Sequence, residues 1–131
     1  MGPMKLLLDT HIFLWWLFGD PRLSRTVSAA IADGSNRLYL SSVSGIEIAN
    51  KAAVGKLKLP SKASDFVMTG MRQLQMEELA ISLRHSYRLA ELPMHHRDPF
   101  DRLLVAQAEI EGMTLVSQDS QLGAYGVAII N

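Results

Sequence analysis

The sequence predicts an α/β fold with a mainly parallel central sheet. Short apolar runs of strand length alternate with segments of helical period. The first run, Lys5-Leu-Leu-Leu-Asp9, is apolar without interruption until its closing carboxylate, as in a strand buried on both faces. No internal repeat, low-complexity tract or interdomain linker breaks the alternation. With 131 residues, 48% of them hydrophobic, the chain can supply one buried core, and residues 4–131 are expected to form a single domain. Met1-Gly2-Pro3, ahead of a second methionine at position 4, reads as a cloning remnant.

Each element has a local reason. Asp9 sits at the end of the first strand, and His11 to Phe18 is apolar almost all round, so as a helix it is either buried or presents Trp15, Trp16 and Phe18 to a partner. Gly19-Asp20-Pro21 ends it. Ser24 caps a small helix to Asp33, and Gly34-Ser-Asn turns into the strand Leu38-Tyr-Leu-Ser41. Ser44 to Ala53 reads as a helix that buries Val43, Ile46, Ala49 and Ala53, followed by a connector at Leu57-Lys-Leu-Pro60. A weaker helix covers roughly Ser64 to Leu74, and a short strand lies near Leu79-Ala-Ile81. Ser82 caps a helix that runs to about Leu92 and stops before Pro93. Asp98 opens the next helix, which ends near Gly112. Thr114-Leu-Val-Ser117 is a strand leading to Asp119, and Val127-Ala-Ile-Ile130 is the last strand.

Composition excludes several functions. With no cysteine there is neither a disulfide nor a thiolate metal site, so a metal must be held by oxygen or by the four histidines, which favours hard cations such as Mg²⁺ or Mn²⁺. Thirteen basic and thirteen acidic residues cancel, so polyanion binding would depend on a local patch. No apolar run approaches the ~18 residues of a membrane span, and no export signal opens the chain; a soluble, cytoplasmic protein is expected.

The chemistry rests on carboxylates. In open parallel sheets ligands bind at the carboxyl ends of strands, beside the point where the topology reverses. Asp9 and Asp119 both fall on that edge, although either one alone is explained equally well as a turn former. Glu47, taken alone, reads as a surface salt bridge to Lys51 at i+4. In "HRDPFDRLLVAQA", Asp98-Pro99 is a helix start with aspartate as N-cap and proline in the first position, and Asp101 suits the helix dipole. Capping therefore explains both aspartates without chemistry. Together the set means more: two carboxylates ~4 Å apart repel by about 4 kcal/mol at an effective dielectric of 20. Asp9, Glu47, Asp101 and Asp119, if they converge, need a divalent cation.

Four segments carry a resemblance: "LLLDTHIFLWW", "SSVSGIEIANKAAVGKL", "HHRDPFDRLLVAQAEIEGMTLVSQD" and "YGVAII". In this order they resemble the PIN-domain ribonucleases, and most closely the VapC toxins of bacterial toxin–antitoxin pairs. The resemblance implies a three-layer α/β/α sandwich and a Mg²⁺- or Mn²⁺-dependent endoribonuclease that uses water as nucleophile and leaves a 5′-phosphate and a 3′-hydroxyl. It places the four catalytic acids on Asp9, Glu47, Asp101 and Asp119. The metal ligands fall on Asp9, Asp101 and Asp119, with Asp98 as an accessory acid. Thr10 or Ser117 can hydrogen-bond a carboxylate or a metal-held water. It also implies a cognate antitoxin of VapB type laid over hydrophobic grooves beside the active site, and a homodimer. The Ile12–Phe18 stretch is a candidate antitoxin surface and equally plain core.

RNA contact requires positive charge. Arg97 and Arg102 flank the acids, and Arg22, Arg25, Lys51, Lys56 and Lys58 are candidates for the rim, although solvated helix faces account for most such residues. Three competing classes are weaker. A Mg²⁺-dependent phosphatase or phosphoacceptor domain would want a second acid close to the first, where this chain has Thr10-His11-Ile12. A non-catalytic interaction protein of the same fold is disfavoured by the intact acid set. A nucleotide-binding module would want a glycine-rich loop after the first strand, and none is present.

Overall fold

The structure is a computed structural model that describes residues 3–131, so Met1 and Gly2 of the suspected remnant lie outside the described residues. Five strands, β1 (Lys5–Leu8), β2 (Arg37–Ser41), β3 (Glu77–Leu79), β4 (Thr114–Val116) and β5 (Ile129–Ile130), form one sheet in the order β3-β2-β1-β4-β5. All four pairings are parallel. The helices between them are α1 (Thr10–Phe18), α2 (Arg25–Ala32), α3 (Ser42–Ala53), α4 (Ala63–Gln73), α5 (Leu83–Glu91) and α6 (Pro99–Glu111), with a 3-10 helix at Ser120–Tyr125 before β5.

Side chains of the central strands alternate between the two faces, which makes three layers. Leu7, Tyr39 and Leu115 face Leu104, Val105 and Ala108 of α6 and Leu92 at the end of α5. Leu6, Leu8, Leu38 and Val116 face the other way, against Ile12 of α1 and Val27 and Ile31 of α2. Leu40 joins Phe13, Leu14 and Ile48 in a third cluster, on which Phe66, Val67 and Met71 of α4 pack. Leu6, Leu7 and Leu8 are wholly inaccessible, and each buried leucine side chain contributes roughly 1.5–3 kcal/mol. Most of the Ile12–Phe18 stretch is therefore core. Phe18 remains 47% exposed and stacks on Phe66 at 5.5 Å.

Three local expectations shift. α3 starts at Ser42, because Ser41, the last residue of β2, caps the helix itself through a bond from Val43 N to its Oγ at 3.0 Å. Its buried residues are Val43, Ser44 and Ile48, not the expected Ile46, Ala49 and Ala53; Ile46 is 44% exposed. That rotation turns Glu47 inward. β3 covers Glu77–Leu79, two residues ahead of the apolar pattern, because it is an edge strand paired only with Tyr39–Ser41 and its half-exposed residues show no strand signature. The 3-10 helix, capped by Asp119 and ended by Gly126 at φ 77°, occupies residues for which the sequence suggested no element.

The chain adds β2 and β3 on one side of β1, then returns to add β4 and β5 on the other. The reversal therefore lies between β1 and β4, and the crevice at their carboxyl ends is flanked by Asp9 on one strand and Ser117 to Asp119 on the other.

A candidate metal centre at the carboxyl edge of the sheet

Asp9 is the first residue beyond β1 and the N-cap of α1. Its N–H donates to Val116 O at 3.0 Å, and its Oδ1 accepts from Ile12 N at 2.9 Å. Capping and a role at the sheet edge coincide in one side chain. Burial raises its pKa above the ordinary carboxylate range, with the nearby Glu47 charge pushing the same way; hydrogen bonds from Ser117 and the Ile12 N–H, and the charge of His11, oppose it.

Glu47 comes from α3. Its Oε1 accepts from the Thr10 hydroxyl at 2.7 Å, and that hydroxyl also lies 2.9 Å from the Ser44 hydroxyl. Lys51 Nζ is 3.8 Å from Oε2, the expected i+4 pair, yet the Glu47 side chain is only 11% exposed. It is an inward-facing acid whose lysine partner stands at the rim.

The N-terminus of α6 brings the remaining acids. Asp98 Oδ1 accepts from Phe100 N at 2.9 Å and from Asp101 N at 3.4 Å, with Pro99 at the first helical position. One turn in, the carboxyl of Asp101 is raised to about 7. Burial is the main cause, followed by the Asp98 charge; Asp9 and Glu47 add to the rise, and His96 works against it. The carboxyl that caps the same helix, Asp98, and those of two other elements, Asp9 and Glu47, thus all act on Asp101. Asp119 enters from beyond β4, where its Oδ1 caps the 3-10 helix at Gln121 N, 3.0 Å away, and its N–H donates to Ser117 Oγ at 3.1 Å.

His96 belongs to this group, although the sequence reading passed over it. Its Nδ1 accepts from Asp98 N at 3.1 Å, which puts the ring proton on Nε2, and Nε2 lies 2.8 Å from Asp119 Oδ2 and 3.7 Å from Asp101 Oδ2. Its backbone N–H donates to Tyr125 Oη at 3.0 Å, so the 3-10 helix fixes the loop that carries it. Single ligand atoms of His96, Asp101 and Asp119 lie within 4.8 Å of one another, close enough to hold one ion among the described residues. Two adjacent histidines before "RDPFD" give no period or motif that marks one of them; Tyr125, far along the chain, meets both, packing its ring on His95 at 5.0 Å and accepting from the His96 N–H, and Asp119 takes the His96 ring.

These donors fit a hard divalent cation. The ligand atoms would be carboxylate oxygens, and in the tautomer fixed by Asp98 the Nε2 of His96 is a donor that orients Asp119 rather than a ligand. Burial and the neighbouring acids raise the Asp101 carboxyl to about 7, a charge balance that a bound cation would relieve.

The basic candidates scatter. Arg97 is exposed in the loop before α6, and Arg25 is exposed in the first turn of α2. Arg102 donates to Leu89 O at 3.3 Å and Leu92 O at 3.0 Å, which ties its guanidinium to the end of α5. Lys51 is held on Glu47. Lys56 is exposed, and Lys58 lines a groove between the end of α3 and the start of α4, with no candidate acid in its lining. Arg22 lines a cavity of about 330 Å³ together with Asp9, His11, Ile12, Trp15, Gln118 and Asp119.

Comparison with known proteins gives a consistent result. The PIN domain family model matches residues 6–127. Ribonuclease VapC22 of Mycobacterium tuberculosis is 28% identical over 123 residues, which span 92% of this chain and 91% of the relative. VapBC2 from Rickettsia felis, solved bound to a DNA fragment from its promoter, superposes with a TM-score of 0.73 at 18% identity over 98% of each chain. DNA-bound VapBC from Salmonella typhimurium superposes with a TM-score of 0.69 at 15% identity over 97% of each chain.

Proposed function

Because the chain belongs to the PIN domain family, we propose that it is a metal-dependent endoribonuclease, the toxin of a toxin–antitoxin pair, with residues 4–131 as a single catalytic domain. One observation carries the reading: Asp9, Glu47, Asp101 and Asp119 come from separate elements to the edge at the topological switch point, where burial first, and then the charges of Asp98, Asp9 and Glu47, raise the Asp101 carboxyl to about 7. The name of the relative VapC22, a ribonuclease, supports the activity. The similarity to VapBC complexes supports an antitoxin partner of VapB type.

Asp101, Asp119 and Asp9 would hold the ion, with Asp98 beside them; Mg²⁺ or Mn²⁺ suits the oxygen donors. When bound, such an ion neutralises phosphate charge and acidifies water. His96 holds Asp119 in place through Nε2, and Ser117 holds Asp9. Glu47, its Oε1 accepting from Thr10, would take the proton of the attacking water. Water oxygen bonds to phosphorus and the bond to the 3′ oxygen breaks, leaving a 5′-phosphate and a 3′-hydroxyl. The N-termini of α1 and α6 both open at this edge and add positive potential for the phosphate.

For the partner, an apolar furrow between α3 and α4, lined by Gly45, Ala49, Ala63, Val67 and Met68, suits an amphipathic segment of the antitoxin. A second copy of the chain as homodimer partner and a cytoplasmic location belong to the same reading. No helix among the described residues is long and apolar enough to cross a membrane.

The test is cleavage of total cellular RNA by the purified protein with Mg²⁺, Mn²⁺ or EDTA, alongside Asp9→Asn and Asp101→Asn, with the product ends identified. Metal-dependent cutting with 5′-phosphate ends, lost in both variants while they stay folded, is the expected result. Cutting that persists in both variants refutes the metal-site assignment.

A further inference from the structure

Beside the acids lies a feature that hydrolysis does not require. α1 ends at Gly19 in the left-handed conformation, with its N–H donating back to Trp15 O and Trp16 O. The chain then folds back through Asp20-Pro21 so that Arg22 lies over the Trp15 ring, its Cζ 4.6 Å from the ring centroid. Asp20 clamps the guanidinium from the side: Arg22 Nε is 3.1 Å from Oδ1 and 3.2 Å from Oδ2, Nη2 is 2.8 Å from Oδ2, and the Arg22 N–H also donates to Oδ1 at 2.9 Å. His11 approaches the same indole at 5.8 Å and 46°. Arg22 is thus an oriented plane with its outer face open; its side chain is 67% exposed.

This platform and the acids share one cavity. Asp9 and Asp119 line it together with His11, Trp15 and Arg22, and the exposed Gln118, two residues beyond β4, lines it too. Its volume of about 330 Å³ lies at the low end of the roughly 300–1,000 Å³ of small-ligand sites. Stacked aromatic and guanidinium planes next to a phosphodiester-cleaving centre are what a splayed-out base of single-stranded RNA requires. A charge meant only for phosphate has no need of a planar support or of a carboxylate that fixes its orientation.

We propose that the Trp15–Arg22–His11 cleft seats the base of the nucleotide next to the scissile phosphate, with Gln118 available to its edge, and so sets part of the sequence preference of cleavage. The assignment rests on the ribonuclease reading above. A bound base lies against the outer face of Arg22, which Trp15 backs, and its phosphate reaches the Asp9–Asp119 edge.

The test measures kcat, KM and cut sites on single-stranded oligoribonucleotides of varied sequence with Mn²⁺. The variants are His11→Ala, Arg22→Ala and Arg22→Lys, with Arg84→Ala on exposed α5 as a control for lost charge. His11 and Arg22 are exposed, so thermal melts near that of wild type are expected. The two Arg22 variants and His11→Ala should raise KM on the order of tenfold, with a smaller change in kcat and an altered base preference beside the cut, while Arg84→Ala matches wild type. Wild-type KM and cut sites in Arg22→Ala, or full rescue by Arg22→Lys, overturn the base seat and leave the ribonuclease reading standing. Wild type that neither binds nor cuts RNA overturns both.

Discussion

Asp101→Asn separates electrostatic strain from catalysis, because it removes a carboxyl that the fold makes hard to ionise. Asp101 titrates at about 7 in the folded chain against 3.8 for a free aspartate. Between those values the native state binds more protons than the unfolded state, so stability falls as pH rises through the window and the loss is complete above about 7. At about 1.4 kcal/mol per pH unit, the part that develops between pH 5 and 8 is at most about 3 kcal/mol. The side chain is 25% exposed, and solvent screening reduces the figure to about 1–2 kcal/mol. Urea unfolding in EDTA at pH 5 and pH 8 should show wild type losing that much more stability than Asp101→Asn, which carries no charge to suppress. Saturating Mg²⁺ should remove the wild-type penalty and leave the variant nearly unchanged, although the variant has lost RNA cleavage. Parallel stability curves for the two proteins across this range in EDTA would refute the electrostatic account of the cluster.

Three further outcomes follow from the same geometry. Glu47→Gln keeps an oxygen for Thr10, so Mn²⁺ affinity should stay within about threefold while kcat drops on the order of 10²–10⁴-fold; unchanged kcat removes Glu47 from proton transfer. His96→Ala deletes the donor to Asp119 and should weaken Mn²⁺ binding, measured by calorimetric titration, by about tenfold or more. Equal affinity would mean that Asp119 needs no orienting partner. Asp98→Asn still accepts from Phe100 N, so stability should change by less than about 0.5 kcal/mol. Because it removes the second-largest influence raising Asp101, the pH-dependent loss of stability in EDTA should become smaller. Cleavage should suffer less than in Asp101→Asn, and an equal loss would make Asp98 a direct ligand.

What could be read from the chain depended on the range of each signal. β1 announces itself because both of its faces are buried, and α6 because Asp98-Pro99 and Gly112 mark its two ends within the sequence. β3 is displaced from its apolar pattern because an edge strand needs only one neighbour, and Glu77 and Glu78 stay exposed while pairing with Tyr39 and Leu40. The inward turn of Glu47 escaped the helical period. Ser44, which the period treats as polar surface, is wholly buried beside Thr10, and Ile46, which the period treats as core, is not. Polar residues buried for the sake of a site invert the pattern that locates helices.

His96 shows why the acids were legible and their partner was not. An aspartate at the end of a strand or the start of a helix is tied to a local element, so Asp9, Asp98 and Asp119 each cap the element that follows. Capping and chemistry therefore draw on the same residues, and the sequence marks them twice. His96 lies in a loop, and its place depends on Tyr125, 29 residues away, and on Asp119, 23 residues away. Neither contact follows from any periodicity. The consequence reaches the pair Asp98 and Asp101, which looked equivalent in sequence. The two carboxyls repel each other; Asp98 accepts from the N–H groups of Phe100 and Asp101, and among the described residues no hydrogen bond reaches the Asp101 carboxyl. Burial, followed by the charge of Asp98, raises the Asp101 carboxyl to about 7. A cation that displaces that proton would offset both the burial of Asp101 and its repulsion by Asp98.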